Sequence, residues 1–208
     1  MFWIGPRNHR SPLRREPSIR RRYNSLIGSR VPQSQGQMSL LSSEDDLQLD
    51  IFDWQSELPQ AMKSGGFDVV LGNPPYGASL TKEQAAYLSK AFTATTKDLD
   101  TYGLFMEQAT DKAKPLGFVS MIVPTGWYSG PKFGKLRRFM ATRTDPRVFV
   151  NLPYDIFRDA WVDTTIFVTR KRKAPTAWPR TEQCEVVLRT FPKRHKIRAV
   201  AEFYENPS

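Results

Sequence analysis

The feature that most constrains this chain is a compact apolar run, Phe67–Gly72, followed at once by Asn73-Pro74-Pro75-Tyr76. A short apolar run bounded by breakers is typical of a strand buried in a mostly parallel sheet. Each proline fixes φ, removes a backbone N–H donor and holds the preceding residue in an extended conformation. The pattern therefore predicts a stiff loop at the carboxyl edge of an open α/β sheet, where such sheets bind ligands.

The predicted loop offers two hydrogen-bond acceptors, the Asn73 side-chain oxygen and the Pro74 carbonyl, which suit an amino group with two N–H donors. Accepting both protons raises the electron density on that nitrogen, which can then attack a methyl sulfonium in line. Catalysis of this kind is mainly positioning and electrostatics. Pro75 would stiffen the loop, and Tyr76 would stack on a purine that is flipped out of the duplex. The alternative is a proline-rich turn that only ends a strand.

The rest of the chain alternates between helical and strand periodicity. Helices are predicted at Glu83–Phe92, Thr101–Lys114 and Lys132–Thr142. Strands are predicted at Leu47–Asp50, Phe118–Val123, Val148–Val150, Thr164–Thr169 and Glu185–Thr190. Residues 53–66 contain Pro59 and two glycines and are predicted to be a connection. Strands that alternate with helices indicate an α/β fold with a parallel sheet.

Positive charge is concentrated at the N-terminus. Residues 1–30 hold eight arginines and one acidic residue, which accounts for +7 of the formal net charge of +10. Residues 1–43 lack sustained periodicity and are predicted to be a disordered tail. This tail is either a basic arm on the DNA backbone or a solvated segment with no such role.

Several classes of protein are excluded by composition. No stretch approaches the roughly 18 consecutive apolar residues of a membrane span, and the N-terminus lacks the apolar core of a secretory signal. The one cysteine, Cys184, excludes an internal disulfide and is expected to be a small buried residue. Together with His9 and His195 it makes no credible zinc site. The sequence thus predicts a cytoplasmic protein without a membrane segment or a metal.

These segments resemble the TaqI-type gamma class of adenine-N6 DNA methyltransferases, including the bifunctional type IIG restriction–modification enzymes. The similarity extends from near Asp45 to near Lys171. It is carried by Asp50–Trp54, Phe67–Gly77, Thr101–Phe105, Gly117–Trp127 and Asp155–Ala160. The resemblance implies an incomplete Rossmann-like class I S-adenosylmethionine-dependent methyltransferase sheet with flanking helices. It also implies S-adenosyl-L-methionine as cofactor and double-stranded DNA as substrate.

The resemblance assigns roles to individual positions. Asn73 and Pro74 would hold the amino group of the target adenine, and Tyr76 would stack on the flipped base. Phe157 falls where the family has its second base-contacting aromatic, in a segment that here lacks the family's proline. Asp50 falls where the family has an acid contacting the adenine of the cofactor; the alternative is a solvated aspartate at a strand end.

One expected family feature is missing. The family has a Phe-x-Gly-x-Gly loop after its first strand, and residues 1–66 contain no such pattern. We therefore expect residues 44–173 to be the C-terminal part of a catalytic domain behind the tail 1–43. Residues 174–208 are expected to be an extension or the start of a truncated target-recognition region.

Three hypotheses for function follow. The first is site-specific transfer of a methyl group to adenine N6 in DNA, as in restriction–modification systems, by the chain or by an enzyme of which it is an inactive fragment. The second is a non-catalytic remnant or DNA-binding subunit that needs a partner chain to supply the missing first strands. The third is methylation of a protein glutamine or of an RNA amino group. The long segment after Tyr76, with Trp127 and Phe157, favours DNA.

Four further groups of residues allow two interpretations each. A basic cluster could bind DNA phosphates or form a solvated helix face; it comprises Lys132, Lys135, Arg137 and Arg138, with Arg143 and Arg147 nearby. Asn151-Leu152-Pro153-Tyr154 also follows an apolar run but lacks the first proline, so it is interpreted as a structural turn. Trp127-Tyr128 is interpreted as core packing rather than part of a DNA cleft, and Arg170–Lys173 as surface charge.

Overall fold

The computed structural model describes residues 2–3, 53–77, 80, 82–94, 100–153, 156–157 and 162–191. The predicted strand at Leu47–Asp50, with the candidate cofactor residue Asp50, lies outside the described residues. So do His9, His195 and all but two residues of the predicted tail. The chain divides into two compact units, Arg7–Ser64 and the remainder. Each unit is described by itself.

The described part of the first unit contains two short helices, α1 (Trp54–Glu57) and α2 (Pro59–Lys63). The prediction that residues 53–66 form only a connection is therefore wrong. Asp53 caps α1, because its carboxylate accepts a hydrogen bond from the Gln55 N–H at 3.0 Å. Proline is well tolerated in the first turn of a helix, so Pro59 begins α2 rather than preventing it.

The second unit alternates strands and helices, as the sequence predicts. Its elements in chain order are β1 (Phe2–Trp3), β2 (Phe67–Gly72), α3 (Lys82–Ala91), α4 (Thr101–Lys112), β3 (Ala113–Pro124), α5 (Gly126–Ser129), a 3₁₀ turn (Pro131–Phe133), α6 (Gly134–Arg143), β4 (Thr144–Asn151), β5 (Thr164–Lys171) and β6 (Val187–Thr190). Every helix and strand predicted within the described residues is present, with ends that differ by up to five residues. The largest difference is at Ala113, where β3 begins.

The strands form a six-stranded sheet in the order β1-β2-β3-β5-β4-β6. The predicted parallel sheet is wrong in one respect: β5 runs antiparallel to β3 and β4, and β1 antiparallel to β2. The connection from β4 turns back at the same sheet edge, where the Leu152 N–H donates to the Thr164 carbonyl at 2.9 Å. A strand that begins at the edge where its neighbour ends must run antiparallel to it, and periodicity carries no information on direction.

Helices α4 and α6 cover one face of the sheet. Side chains that point to this face, such as Val119, Met121 and Phe167, are almost fully buried. Residues Thr101–Thr110 of α4 are all buried too. The alternate side chains on the opposite face remain only half-buried; they include Leu71, Ile122, Ile166 and Val168. The two faces of the sheet are therefore unequally covered.

Candidate active site

The carboxyl ends of the four strands that share one direction meet at a single edge of the sheet. These ends are Gly72, Pro124, Asn151 and Thr190. The Asn73-Pro74-Pro75-Tyr76 loop leaves β2 at this edge, with the Asn73 side chain exposed and Pro74 buried. The loop lies where the sequence predicts it, at the position where open α/β sheets hold their ligands.

Tyr76 fixes the loop to the neighbouring strand. Its hydroxyl donates to the Ile122 carbonyl at 2.9 Å and lies 3.4 Å from the Asn73 side-chain oxygen. Burial raises the pKa of Tyr76 to about 12, so the hydroxyl keeps its proton at neutral pH. The contact to Asn73 is long for an O–H···O bond. The Asn73 oxygen therefore retains most of its capacity to accept hydrogen bonds.

Two further aromatic rings meet the Tyr76 ring. Phe157 approaches with its centroid 6.3 Å away and its plane at 78°, and Tyr102 approaches at 6.2 Å and 88°. Both contacts are edge-to-face, which aromatic pairs prefer over a sandwich. The structure thus brings together Tyr76 and Phe157, the two aromatic residues expected to contact a base. Tyr102 is a third aromatic residue beside the loop. The sequence analysis placed it in a predicted helix and gave it no role in the site.

The start of α4 also contacts the loop. The buried Thr101 hydroxyl donates to the Pro75 carbonyl at 2.8 Å, and the Gly77 N–H faces the Asp100 carboxylate at 3.5 Å. Burial raises the pKa of Asp100, an effect partly offset by the N–H groups of Gly77 and Tyr102 and by Lys132. Sequence reasoning missed Asp100 and Thr101, since they lie more than 20 residues from the loop. The available signals were their place at the predicted start of a helix and the resemblance of Thr101–Phe105 to the family.

The basic cluster separates into two kinds of side chain. Lys132, Lys135 and Arg138 are exposed. Arg137 is half-buried and donates to the carbonyls of Trp127 and Gly130, at 3.1 and 2.5 Å. Arg137 therefore stabilises the turn between α5 and α6. The Lys132 ammonium, which lowers the pKa of Asp100, is the member of the cluster that links it electrostatically to the loop.

The second Asn-x-Pro segment is held differently from the first. The Asn151 side-chain oxygen accepts a hydrogen bond from the Tyr128 hydroxyl at 2.6 Å, and its amide N–H donates to the Thr190 hydroxyl at 3.2 Å. Trp127 is 5% exposed and packs against Phe167. These contacts agree with the structural interpretation of Asn151 and with core packing for Trp127.

Two minor predictions are wrong. Cys184 is exposed rather than buried. Lys171 and Arg172 are not simple surface charges: the Lys171 ammonium donates to the Asp111 and Ala113 carbonyls, and Arg172 pairs with Asp145 at 2.6 Å. Both side chains help to hold the end of β5 against its neighbours.

The described residues hold no metal-binding group of three or more His, Cys, Asp or Glu side chains. None of their helices is both long and apolar enough to cross a membrane.

A cavity of about 400 Å³ lies between α6 and the sheet, lined by residues that include Trp127, Phe149 and Trp178. No residue of the Asn73–Tyr76 loop lines this cavity, so it is separate from the candidate site.

Comparison with known proteins identifies the class of protein to which this sheet and loop belong. Residues 15–157 match the model of the Eco57I restriction-modification methylase, which covers more than half of the chain. The chain therefore belongs to the Eco57I restriction-modification methylase family. The expected fold class, an incomplete Rossmann-like methyltransferase sheet with flanking helices, is confirmed.

Individual relatives agree with the family. A Methanocaldococcus jannaschii protein named as a type II restriction enzyme and methyltransferase is 28% identical over 70% of this chain. The type II restriction enzyme and methyltransferase RM.Eco57I of Escherichia coli is 32% identical over 50% of it. The chain spans only 12% and 11% of the lengths of these two relatives. A solved Listeria monocytogenes structure named as a class I S-adenosylmethionine-dependent methyltransferase is 23% identical, with a TM-score of 0.47 over 60% of this chain and 36% of its own.

Proposed function

We propose that this chain carries the acceptor half of the active site of a site-specific DNA methyltransferase, which transfers a methyl group from S-adenosyl-L-methionine to adenine N6. The observation that carries the proposal is the contrast within one loop. Asn73 is exposed and its oxygen makes only a long contact, whereas Pro75 and Tyr76 are fixed by hydrogen bonds to the neighbouring α4 and β3. A rigid loop that presents one accessible acceptor suits the capture of an amino group.

The chemistry of the loop follows from its hydrogen-bond acceptors. The Asn73 oxygen and the Pro74 carbonyl accept the two protons of the adenine amino group, which raises electron density on its nitrogen and orients its lone pair. The cofactor, when bound, supplies an electrophilic methyl group on a sulfonium. The proton of the amino group can leave after attack, so the loop needs no strong base. Neutral acceptors of fixed position are sufficient for this step.

The described residues account for binding of the target adenine better than for binding of the cofactor. Asp50, the candidate for binding the cofactor's adenine, lies outside them, and residues 1–66 carry no Gly-rich loop for the methionine part. The chain's own residues account for binding and orienting the base. Holding the cofactor requires Asp50 and further segments.

Tyr76 and Phe157 have unequal roles in this proposal. The Tyr76 ring is immobilised through its hydroxyl on β3, so its face can stack on the flipped adenine without a further loss of side-chain entropy. Phe157 stands at 78° to that ring. It therefore borders the stacked base at its rim and does not form a second parallel wall.

The exposed cations of the basic cluster supply the DNA contact. Lys132, Lys135 and Arg138 can reach phosphates, while Arg137 is committed to the turn it stabilises. Phosphate contacts orient the duplex without reading its sequence. Specificity for a DNA site therefore depends on other segments. The single exposed cysteine fits a reducing, cytoplasmic setting.

Identification of the methylated atom tests the proposal. The purified chain, alone and after co-expression with the product of the adjacent upstream reading frame, is incubated with isotopically labelled S-adenosyl-L-methionine and DNA of mixed sequence, and the digested nucleosides are separated by mass spectrometry. We expect label in N6-methyladenine. Label in a cytosine, in RNA or in protein glutamine would contradict the adenine assignment, and each of these outcomes identifies a different acceptor.

A second candidate is a DNA-binding or remnant subunit that works only with a partner chain supplying the missing strands. It is favoured by the half-buried apolar side chains Leu71, Ile122, Ile166 and Val168, which alternate with fully buried ones. Calorimetry with S-adenosyl-L-methionine separates the candidates. Micromolar binding by the chain alone favours an independent enzyme. Binding that appears only after co-expression with the product of the adjacent upstream reading frame favours the partner.

A further inference from the structure

We propose that Thr101 is a positioning residue for the candidate active site. Its hydroxyl holds the Pro75 carbonyl and thereby fixes the orientation in which the loop presents the Asn73 oxygen and the Pro74 carbonyl. This role rests on the proposed function for its consequence in methyl transfer. The contact itself rests on geometry alone, since Thr101 Oγ1 lies 2.8 Å from the Pro75 oxygen.

The loop needs an external donor because of its own composition. Pro74 and Pro75 have no N–H, so the loop cannot be anchored through its backbone donors at these two positions. At these two positions the backbone can accept hydrogen bonds only through its carbonyls. The Thr101 hydroxyl supplies the missing donor to a carbonyl. Thr101 is 0% exposed, so water cannot simply replace its hydroxyl if that group is removed.

Two more contacts complete the anchoring. Two residues beyond Pro75, the Gly77 N–H faces the Asp100 carboxylate at 3.5 Å. Between these two points, the Tyr76 hydroxyl donates to the Ile122 carbonyl. Gly77 adopts φ of +58°, and a Cβ placed there would meet nothing within 4 Å. The glycine therefore serves the left-handed turn that brings its N–H toward Asp100.

Helix α4 is a rigid support for this arrangement. All of its residues from Thr101 to Thr110 are buried, and the helix packs on β2, β3 and α6. Because the helix cannot shift easily, the position of the Thr101 hydroxyl is set by packing, and the loop must adapt to it. Displacing reacting groups by about 1 Å costs on the order of 100-fold in rate. A single hydroxyl can therefore affect catalysis without touching the substrate.

The test compares three substitutions in one helix. Thr101→Val keeps the shape and removes the donor, whereas Thr101→Ser keeps the hydroxyl. Thr110→Val is the matched control, since Thr110 is also 0% exposed but donates to the Met106 carbonyl at 2.8 Å, away from the loop. NMR of the full chain reports the Pro75 carbonyl carbon shift and the exchange rate of the Gly77 amide. Steady-state kinetics on DNA then gives kcat and the KM for S-adenosyl-L-methionine.

We expect Thr101→Val to move the Pro75 carbonyl shift upfield and to accelerate Gly77 exchange about 10-fold or more. We expect kcat to fall by roughly 10- to 100-fold with little change in KM, as for a loop that binds but is misaligned. Thr101→Ser should restore all three values, and Thr110→Val should change none of them. If Thr101→Val does not fold, Asp100→Ala removes the acceptor at Gly77 and should accelerate exchange there and lower kcat.

The outcomes separate this inference from the proposed function. Unchanged Pro75 shift and Gly77 exchange in Thr101→Val would overturn the anchoring. Altered NMR values with an unchanged kcat in an active chain would overturn the positioning role. Altered NMR values in a preparation that binds S-adenosyl-L-methionine but methylates no substrate would support the anchoring and count against the proposed function.

Discussion

Two Asn-x-Pro-Tyr segments leave the same edge of the sheet, and they differ in whether the asparagine side chain is free to accept a further hydrogen bond. Asn73 is exposed, and among the described residues its oxygen has only a 3.4 Å contact, with the Tyr76 hydroxyl. The Asn151 amide is engaged at both ends, by Tyr128 at 2.6 Å and Thr190 at 3.2 Å. Similar sequences at equivalent strand ends therefore differ in chemistry when the oxygen of one asparagine side chain already accepts a strong hydrogen bond.

The difference arises from the neighbours of each strand. Asn151 ends β4, which lies between β5 and β6, so the end of β6 and the helix α5 both place hydroxyls beside its amide. Asn73 follows β2, whose outer edge pairs with β1 only at Val70 and Leu71. Among the described residues, fewer side chains therefore surround Asn73. The first proline adds to the contrast, because Leu152 replaces it in the second segment.

The largest effect expected is on activity, from Asn73→Ala. Methyl transfer should fall by about 1,000-fold or more, because the variant loses a positioned acceptor for the amino group. The free energy of unfolding should change by less than about 1 kcal/mol, since the side chain is exposed. Methylation assays and urea unfolding measure the two quantities. Substantial methyl transfer by Asn73→Ala would break the comparison, because the exposed amide would then be dispensable.

Asn151→Ala should show the opposite pattern. Removing the amide takes one hydrogen bond from the half-buried Tyr128 hydroxyl, which keeps its bond with Thr165, and one from the exposed Thr190 hydroxyl. The free energy of unfolding should therefore fall by roughly 1–2 kcal/mol. Methyl transfer should stay within about 3-fold of the parent value at a temperature where the variant is folded. Urea unfolding and kinetics on the same preparation measure both. A loss of activity as large as that of Asn73→Ala would show that the second segment also acts on the substrate.

The sequence predicted more of the loop than of its surroundings. Prolines and a short apolar run are local signals, so the loop after Phe67–Gly72 and its place at a sheet edge could be predicted. The hydrogen bonds that the loop makes with Asp100 and Thr101, and the bonds that occupy Asn151, join residues more than 20 positions apart. Pairing of this kind depends on strand order and direction, which periodicity does not determine. The antiparallel β5 was missed for the same reason.

Tyr128→Phe sharpens the comparison by freeing the Asn151 oxygen. The variant loses the hydrogen bonds of the Tyr128 hydroxyl with Asn151 and Thr165, so unfolding should require roughly 1–2 kcal/mol less free energy. Its activity should stay close to that of the parent. In combination with Asn73→Ala it should not restore methyl transfer, because an available oxygen after β4 still lacks the stiff backbone that Pro74 gives the first loop. Restored methylation in the double variant would show that a free amide at this edge is sufficient.

The last prediction concerns how the free energy of unfolding depends on alkaline pH through Tyr76 and Tyr128, the tyrosines that contact the two segments. Burial raises the pKa of Tyr76 to about 12 from an ordinary value near 10, so the folded chain keeps a proton that the unfolded chain releases. The stability contributed by Tyr76 is therefore fully present below about pH 10 and is lost as pH rises toward 12. Burial also raises the pKa of Tyr128, and its hydrogen bonds with Thr165 and Asn151 offset part of that rise. Urea unfolding between pH 9 and 12 should show a shallower loss of stability for Tyr76→Phe than for the parent chain. Curves of equal slope would mean that the Tyr76 side chain is not buried in the folded chain.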